Sequence, residues 1–377
     1  MASDCVYLDH AATTPVDERV LEAMQPWFRG LGAANPASTQ HAPGHAAARA
    51  VGEAREQLAE LLSVTPGEIV FTSGATESCN LGIAGFARSI GRGHVVTVAH
   101  EHPAGLDPVR RLAGEGFETT ILPAPSTGVV TAADIEPVLR PDTLLVSVMW
   151  ANNELGTIND MEGIAMLCRD RGVALHCDAT QAVGKIPINL ERVPITLLSC
   201  SAHKMYGPKG VGALYVLAGT RLRPFIEGGG HERGLRSGTL NVPGIVGLGE
   251  ACRICSDEMN VESARLAELR DRLESSVINR LEQVHVHGDR TLRLPSITNI
   301  SLGGLLGPDP LVNRLRGLAC AAGAACSSSR EGPSHVLEAI GVPPERARNA
   351  LRLSLGRSTT ATDIDTAIDC IVAAACS

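Results

Sequence analysis

Apolar positions along this chain fall into two rhythms. In VDERVLEAMQPWF (16–28), HAAARAVGEAREQLAELL (45–62), ATESCNLGIAGFARSI (75–90) and GIAMLCRDRG (163–172) they recur at helical spacing. Between these stretches stand short, near-continuous apolar runs rich in β-branched residues: GEIVFT, HVVTVA, TLLVSVM, GVALHC, ITLLSC and GALYVL. Such runs suit strands buried on both faces. Their alternation with helices predicts an α/β, doubly wound, mainly parallel sheet domain. From about Ser263 the character changes. ARLAELRDRLESSVINRLEQV reads as one long amphipathic helix, VHVHG and SITNISL as strands, DPLVNRLRGL as a helix, RLSL as a strand, and the chain closes on a helix. The expected division is a large domain over 16–260 and a smaller α+β domain over 1–15 and 261–377.

Composition narrows the function. The 377 residues are 44% hydrophobic and 20% charged, enough for a sizeable core and incompatible with disorder. A net charge of −8 and 3% aromatic residues argue against a direct nucleic-acid grip. No run of about 18 apolar residues marks a membrane span. MASDCVYLDH has neither a basic n-region nor an apolar h-region, so the expected compartment is the cytoplasm, without a membrane partner. There the 11 cysteines read as thiols. Cys252 and Cys255 form a lone CxxC. With no second pair, they read as two small apolar groups on one helix face, and no metal site is expected. The three lysines, Lys185, Lys204 and Lys209, are the candidates for any chemistry that needs a Schiff-base amine.

The chemistry-bearing residues sit where apolar runs end. FTSGATES follows one run and opens a helix. Its small residues let a ligand approach free N–H groups, and Thr76 adds a hydroxyl, which is a phosphate cradle in physical terms. VAHEHPA puts His102 after a second run, and WANNELG puts Asn153 after a third. HCDATQ puts Asp178 at the end of a fourth, where a buried carboxylate needs a cation such as a protonated pyridine nitrogen. SCSAHKMYGPKG puts Lys204 after a fifth. In open α/β sheets, ligands bind beyond the carboxyl ends of the strands, so these groups are expected to converge.

FTSGATES, NNELG, DATQAVGK, SAHKMYGPKG, GGGHERGLRSGT, AAGAACSSS and LRLSLGR, in this order, resemble the cysteine desulfurases of the NifS/IscS type, which are fold-type I, class V pyridoxal-phosphate enzymes. The likeness runs from YLDHAATTP at residue 7 to LRLSLGR at residue 357. It implies a pyridoxal phosphate bound covalently to Lys204, with Asp178 on the pyridinium nitrogen and His102 stacked on the ring. Asn153 and Gln181 would meet the phenolic oxygen, and Ala75, Thr76, Ser201 and His203 the phosphate. Thr239 would reach the phosphate of the other subunit in a homodimer. Asn35 and Arg352 would hold the carboxylate of L-cysteine, an arginine fork matching a carboxylate in a way lysine does not. Cys326, in a loop at about 321–336, would accept the sulfur as a persulfide and pass it to an acceptor protein.

Family members that feed the common iron–sulfur scaffold carry an extension past the last helix, whereas this chain ends about 20 residues after LRLSLGR. A specialised acceptor is therefore expected, such as one serving tRNA thiolation or DNA phosphorothioation. On the scaffold reading, Cys326 would transiently share a cluster or persulfide. Alternatives are a selenocysteine lyase or other class V enzyme, a sulfur-transfer scaffold without catalysis, and a zinc protein built on Cys252 and Cys255. Cys326 speaks for desulfuration, and the set Lys204, Asp178, His102 and Arg352 speaks for catalysis.

Overall fold

The computed structural model describes residues 5–304, 309–322 and 334–376. Twelve strands are labelled here in chain order: β1 (Val6–Tyr7), β2 (Ile69–Thr72), β3 (His94–Val98), β4 (Glu118–Leu122), β5 (Thr143–Met149), β6 (Ala174–Asp178), β7 (Leu197–Ser201), β8 (Gly212–Val216), β9 (Val284–Val286), β10 (Ile297–Leu302), β11 (Leu318–Ala319) and β12 (Ala350–Ser354). All six apolar runs are strands of one seven-stranded sheet, in the order β2-β8-β7-β6-β5-β3-β4. Within it β7, β6, β5, β3 and β4 are parallel neighbours, while β8 runs antiparallel to both β7 and β2.

Burial explains what the pattern reveals and what it hides. β2, β3, β7 and β8 are buried along their whole length, hence their unbroken apolar character. The edge strand β4, Glu118–Leu122, is partly exposed and so carries no such signal. Helices cover the faces. Ala42–Leu62 turns Ala47, Ala50, Val51, Ala54, Leu58 and Leu62 inward at helical spacing, and the same core takes Met161–Arg171 through Ile164, Ala165 and Cys168.

Helix Val242–Arg280 is longer than the pattern implies and runs straight through residue 260. Its first half packs in the large core through Ile245, Leu248, Cys252 and Cys255, and its second half enters a separate core through Leu266, Leu273 and Val277. That second core lies under the antiparallel sheet β12-β10-β9 and is sealed by helix Ala361–Cys376. The stretch expected to be a helix, DPLVNRLRGL, is helical only over Leu311–Arg314. The backbone turns extended at Leu315, Gly317 follows at φ 74°, and Leu318–Ala319 instead pairs in parallel with β1. The N-terminal segment thus joins the smaller unit, reinforced by a bridge from Asp9 to Ser354.

Among the described residues, no helix is long and apolar enough to cross a membrane.

Candidate active site

Because β7, β6, β5 and β3 are adjacent and parallel, their carboxyl ends lie on one edge, and β2 delivers its own end to the same edge. A cleft of about 360 Å³ opens there. Its lining includes Lys204, His102, Asn153, Asp178, Gln181, Ser201, His203, Ala75, Thr76 and Arg352, so ten of the residues expected from sequence share one cavity.

Each is held by local structure. Thr72 leads into Ser73 and Gly74, and Gly74 has a φ of 151°, a conformation suited to glycine. The helix Ala75–Asn80 starts there, with the first N–H groups of its axis directed back into the cleft. Glu77 braces that turn: Ser73 N–H donates to Oε2 at 2.7 Å and Arg236 Nε to Oε1 at 3.0 Å.

His102 caps the helix Pro103–Gly114, its Nδ1 accepting from Ala104 N–H at 3.1 Å. In the neutral ring the proton therefore sits on Nε2. Burial lowers the pKa of His102, and the charge of Lys204 pushes the same way, while Asp178 opposes both. Asp178 ends β6 nearly buried, with Oδ1 accepting from Thr180 N–H at 3.0 Å.

Lys204 Nζ donates to the carbonyls of Ala11 and Ala12, each at 2.6 Å. Lys209 also lines the cleft, but from an exposed rim position. Lys185 lies behind Gln181, donating to its Oε1 at 2.6 Å.

The polar groups that line the cleft, acceptors and donors alike, fit pyridoxal phosphate on the structure's own terms. Asn153 Oδ1 and Thr180 Oγ1 are buried, line the cleft and have no hydrogen-bond partner among the described residues. Asp178 offers a buried anion for a ring cation. Ser201 and the start of helix Ala75–Asn80 offer hydroxyl and N–H donors for a phosphate.

Arg352, on β12, is 1% exposed, yet its side chain also meets the cleft. Its Nη2 is paired with Asp9 Oδ1 at 2.7 Å, its Nη1 donates to the Asn153 carbonyl at 3.1 Å, and its Nε has no partner among the described residues.

Two expected residues, Asn35 and Thr239, are not in the cleft. Asn35 is exposed in a loop, where Oδ1 accepts from Ala37 N–H at 2.9 Å. Thr239 is exposed on the loop that Glu232 anchors through its ion pair with Arg55 at 2.7 Å. Cys326 lies outside the described residues. Cys320 directly follows the strand β11, and burial pushes its thiol up to about 12. Cys252 and Cys255 pack as small apolar groups, Cys252 against Met205 and Cys255 beneath Gly184.

Sequence reasoning overlooked Thr180 and the carbonyls of Ala11 and Ala12. Thr180 had a signal, its place within DATQ. The carbonyls had none, because backbone atoms brought from 193 residues away leave no mark in a pattern.

A family model for aminotransferase class-V matches residues 6–366. The cysteine desulfurase IscS of Pectobacterium carotovorum subsp. carotovorum strain PC1 is 48% identical over 97% of this chain and 91% of its own length. Among solved structures, a NifS-like protein superposes with a TM-score of 0.90 at 36% identity, covering 98% of both chains. SspA in complex with cysteine superposes with a TM-score of 0.82 at 36% identity, over 93% of this chain and 98% of that one.

Proposed function

Since this chain belongs to the class-V aminotransferase family and is a pyridoxal-phosphate-dependent cysteine desulfurase, we propose that Lys204, Asp178, His102, Asn153 and Gln181 hold and use the cofactor. The observation that carries this assignment is the convergence of these side chains on one cleft from the ends of adjacent parallel strands.

When bound, the cofactor supplies an electron sink for the carbon skeleton of cysteine. The chain's own groups do the rest. Asp178 keeps a buried negative charge for the ring nitrogen. Ala75, Thr76, Ser201 and His203 take the phosphate. His102 presents Nε2–H to the cleft because Nδ1 is occupied by the Ala104 amide. Lys204, which lines the cleft and donates to the Ala11 and Ala12 carbonyls at 2.6 Å, would carry the proton at the substrate α-carbon. Arg352 takes the substrate carboxylate. Asn35, exposed and turned to its own loop, has no support in this chain for the same task.

The substrate is L-cysteine, and Cys326 is the sulfur acceptor. As its thiolate attacks the substrate sulfur, one S–S bond forms and one C–S bond breaks. The thiol's hydrogen ends on the carbon fragment, so the products are an enzyme persulfide and alanine. The persulfide then passes to an acceptor protein in iron–sulfur assembly or nucleic-acid thiolation, in the cytoplasm.

Function as a homodimer belongs to the same reading. The Thr239 loop is exposed, yet it is tied to the phosphate end of the cleft by Arg236 and Glu77, so it can serve a neighbouring subunit's site. Residues 16–260 would form the cofactor-binding domain and residues 1–15 with 261–377 the smaller one, helix Val242–Arg280 serving both.

Cys326→Ser tests the assignment. It should load cofactor and bind cysteine normally, yet form no persulfide and lose essentially all alanine production. Cys320→Ser should stay within about twofold of the parent, because a thiol with so raised a pKa supplies little thiolate near neutrality. Reversed phenotypes would overturn the choice of nucleophile.

A further inference from the structure

Lys185 has no task in the reaction above, and its surroundings are unusual. It closes the turn that follows Asp178, where Lys185 N–H donates to the Ala182 carbonyl at 3.0 Å and Ser263 Oγ donates to the Lys185 carbonyl at 2.8 Å. Gly184 fixes the approach. It has a φ of 75°, and a Cβ there would meet Cys255 Sγ at 2.8 Å, so the chain can pass only as glycine. The ammonium is thereby aimed inward, behind the cleft wall and not into the cleft. Groups facing it are His10, His203, Lys204, Cys255, Glu262 and Arg352, and no carboxylate of the described residues forms an ion pair with it.

Its hydrogen bond goes to the cleft wall instead. Lys185 Nζ donates to Gln181 Oε1 at 2.6 Å, and Gln181 Nε2 donates to the Ala11 carbonyl at 2.9 Å. That same carbonyl accepts from Lys204 Nζ at 2.6 Å. While protonated, Lys185 is a donor only, and the Ala11 carbonyl is an acceptor only, so the two act together to turn the Gln181 amide oxygen toward Lys185. The amide is therefore locked with its NH₂ toward Ala11 and the cleft. One N–H serves Ala11, and the second remains for an acceptor in the cleft.

We propose that Lys185 is a positioning residue that fixes the orientation of the Gln181 amide, so that the cleft is offered an N–H donor and not a carbonyl at the cofactor's phenolic oxygen. The proposal rests on the reading that pyridoxal phosphate binds here with Gln181 at that oxygen. A donor at this oxygen favours its anionic form, and the adjacent positive charge acts in the same direction. Burial, and secondarily Lys204, lower the Lys185 pKa to about 7. Replacing the ammonium by a neutral chain therefore relieves a desolvation cost and should leave the fold intact.

The test is a pH titration of the visible absorption of the cofactor-loaded enzyme without substrate. Lys185→Met should raise the titration midpoint by roughly one pH unit, the size of shift that a lost donor and a lost neighbouring charge produce together. Lys185→Arg, which keeps both, should return it toward the parent value. In a Gln181→Ala background, Lys185→Met should lose most of its effect, since its route runs through the amide. If Lys185→Met fails to load cofactor, Lys185→Gln gives the same reading, removing the charge and the obligate donor. An unchanged midpoint in either variant overturns the proposal, as does a full shift that persists without Gln181. A parent enzyme that takes up no coloured cofactor would instead sink the pyridoxal-phosphate reading on which the proposal stands.

Discussion

The guanidinium of Arg352 is shared before any substrate arrives. Asp9 holds Nη2 at 2.7 Å and the Asn153 carbonyl holds Nη1 at 3.1 Å, while β10 pins the strand from behind through the Asn299–Arg352 register. A guanidinium has five donors in a fixed plane, so it can keep these partners and still offer N–H groups to a carboxylate in the cleft. Lysine matches this less well, since its ammonium has three donors on one atom and lacks the planar fork that could keep Asp9 and the Asn153 carbonyl while meeting a carboxylate in the cleft. Arg352→Lys should therefore keep cofactor absorption yet lower kcat/KM for cysteine about 100-fold, mostly through KM, as expected for a buried carboxylate left without its matched partner. Steady-state kinetics on the loaded variant decide the matter, and a KM equal to the parent's would remove Arg352 from carboxylate binding.

At the scale of elements, the decisive piece is the segment Asp9–Asp17, which stitches the smaller unit to the cleft. It gives Asp9 to Arg352, two carbonyls to Lys204, the Thr13 hydroxyl to His203 Nδ1 at 3.1 Å, and Thr14 to the turn after β7. Thr14 is 1% exposed. Its Oγ1 donates to the His203 carbonyl at 3.0 Å and accepts from Tyr206 N–H at 2.8 Å. Tyr206 sits at a φ of 63°, a strained conformation for a non-glycine residue, and this hydrogen bond helps to hold it. Thr14→Ala should destabilise the protein by about 1–3 kcal/mol, the usual cost of a buried N–H left unpaired, and should speed cofactor loss, since the same turn carries Lys204. A urea midpoint and a cofactor release rate equal to the parent's would contradict that account. This element also marks what the sequence made legible. His102, Asn153, Asp178 and Lys204 could be grouped because each follows an apolar run and parallel strands bring such ends together. Lys185 could not, because, although its partner Gln181 is only four residues back, nothing in the pattern says that the ammonium takes the side of Gln181 away from the cleft. Asp9 could not either, because its partner lies 343 residues away. Local rhythm announces strands and their ends, whereas contacts that cross the whole chain leave no period to read.

For the molecule as a whole, the response to acid follows from histidines that the fold keeps neutral. Burial lowers His100 and His176 from 6.5 to about 4, and it does the same to His10, His203 and His287. His176 is enclosed beneath the cleft, sharing Nδ1 with Ser147 Oγ at 2.9 Å and Nε2 with Ser199 Oγ at 3.0 Å. Between pH 6.5 and 4 the unfolded chain takes up protons on these rings and the native chain does not, so stability is lost as pH falls, by up to about 1.4 kcal/mol per pH unit for each fully buried ring. Among the described residues, Glu101 opposes this. Burial raises Glu101 well above 4.5, so the native state is the one that holds that proton, and its contribution grows as pH falls toward 4.5. The Glu101 carboxyl cannot cancel several histidines of the other sign. The urea midpoint of the cofactor-loaded protein should accordingly be lower at pH 5 than at pH 7, with free cofactor held constant so that binding does not mask the trend. His176→Gln keeps a donor and an acceptor between the two serines but does not titrate, so its midpoint should change less between the two pH values, by about 2 kcal/mol of stability. If that variant lost stability with pH as steeply as the parent, the buried ring beneath the cleft would not be a source of the acid sensitivity.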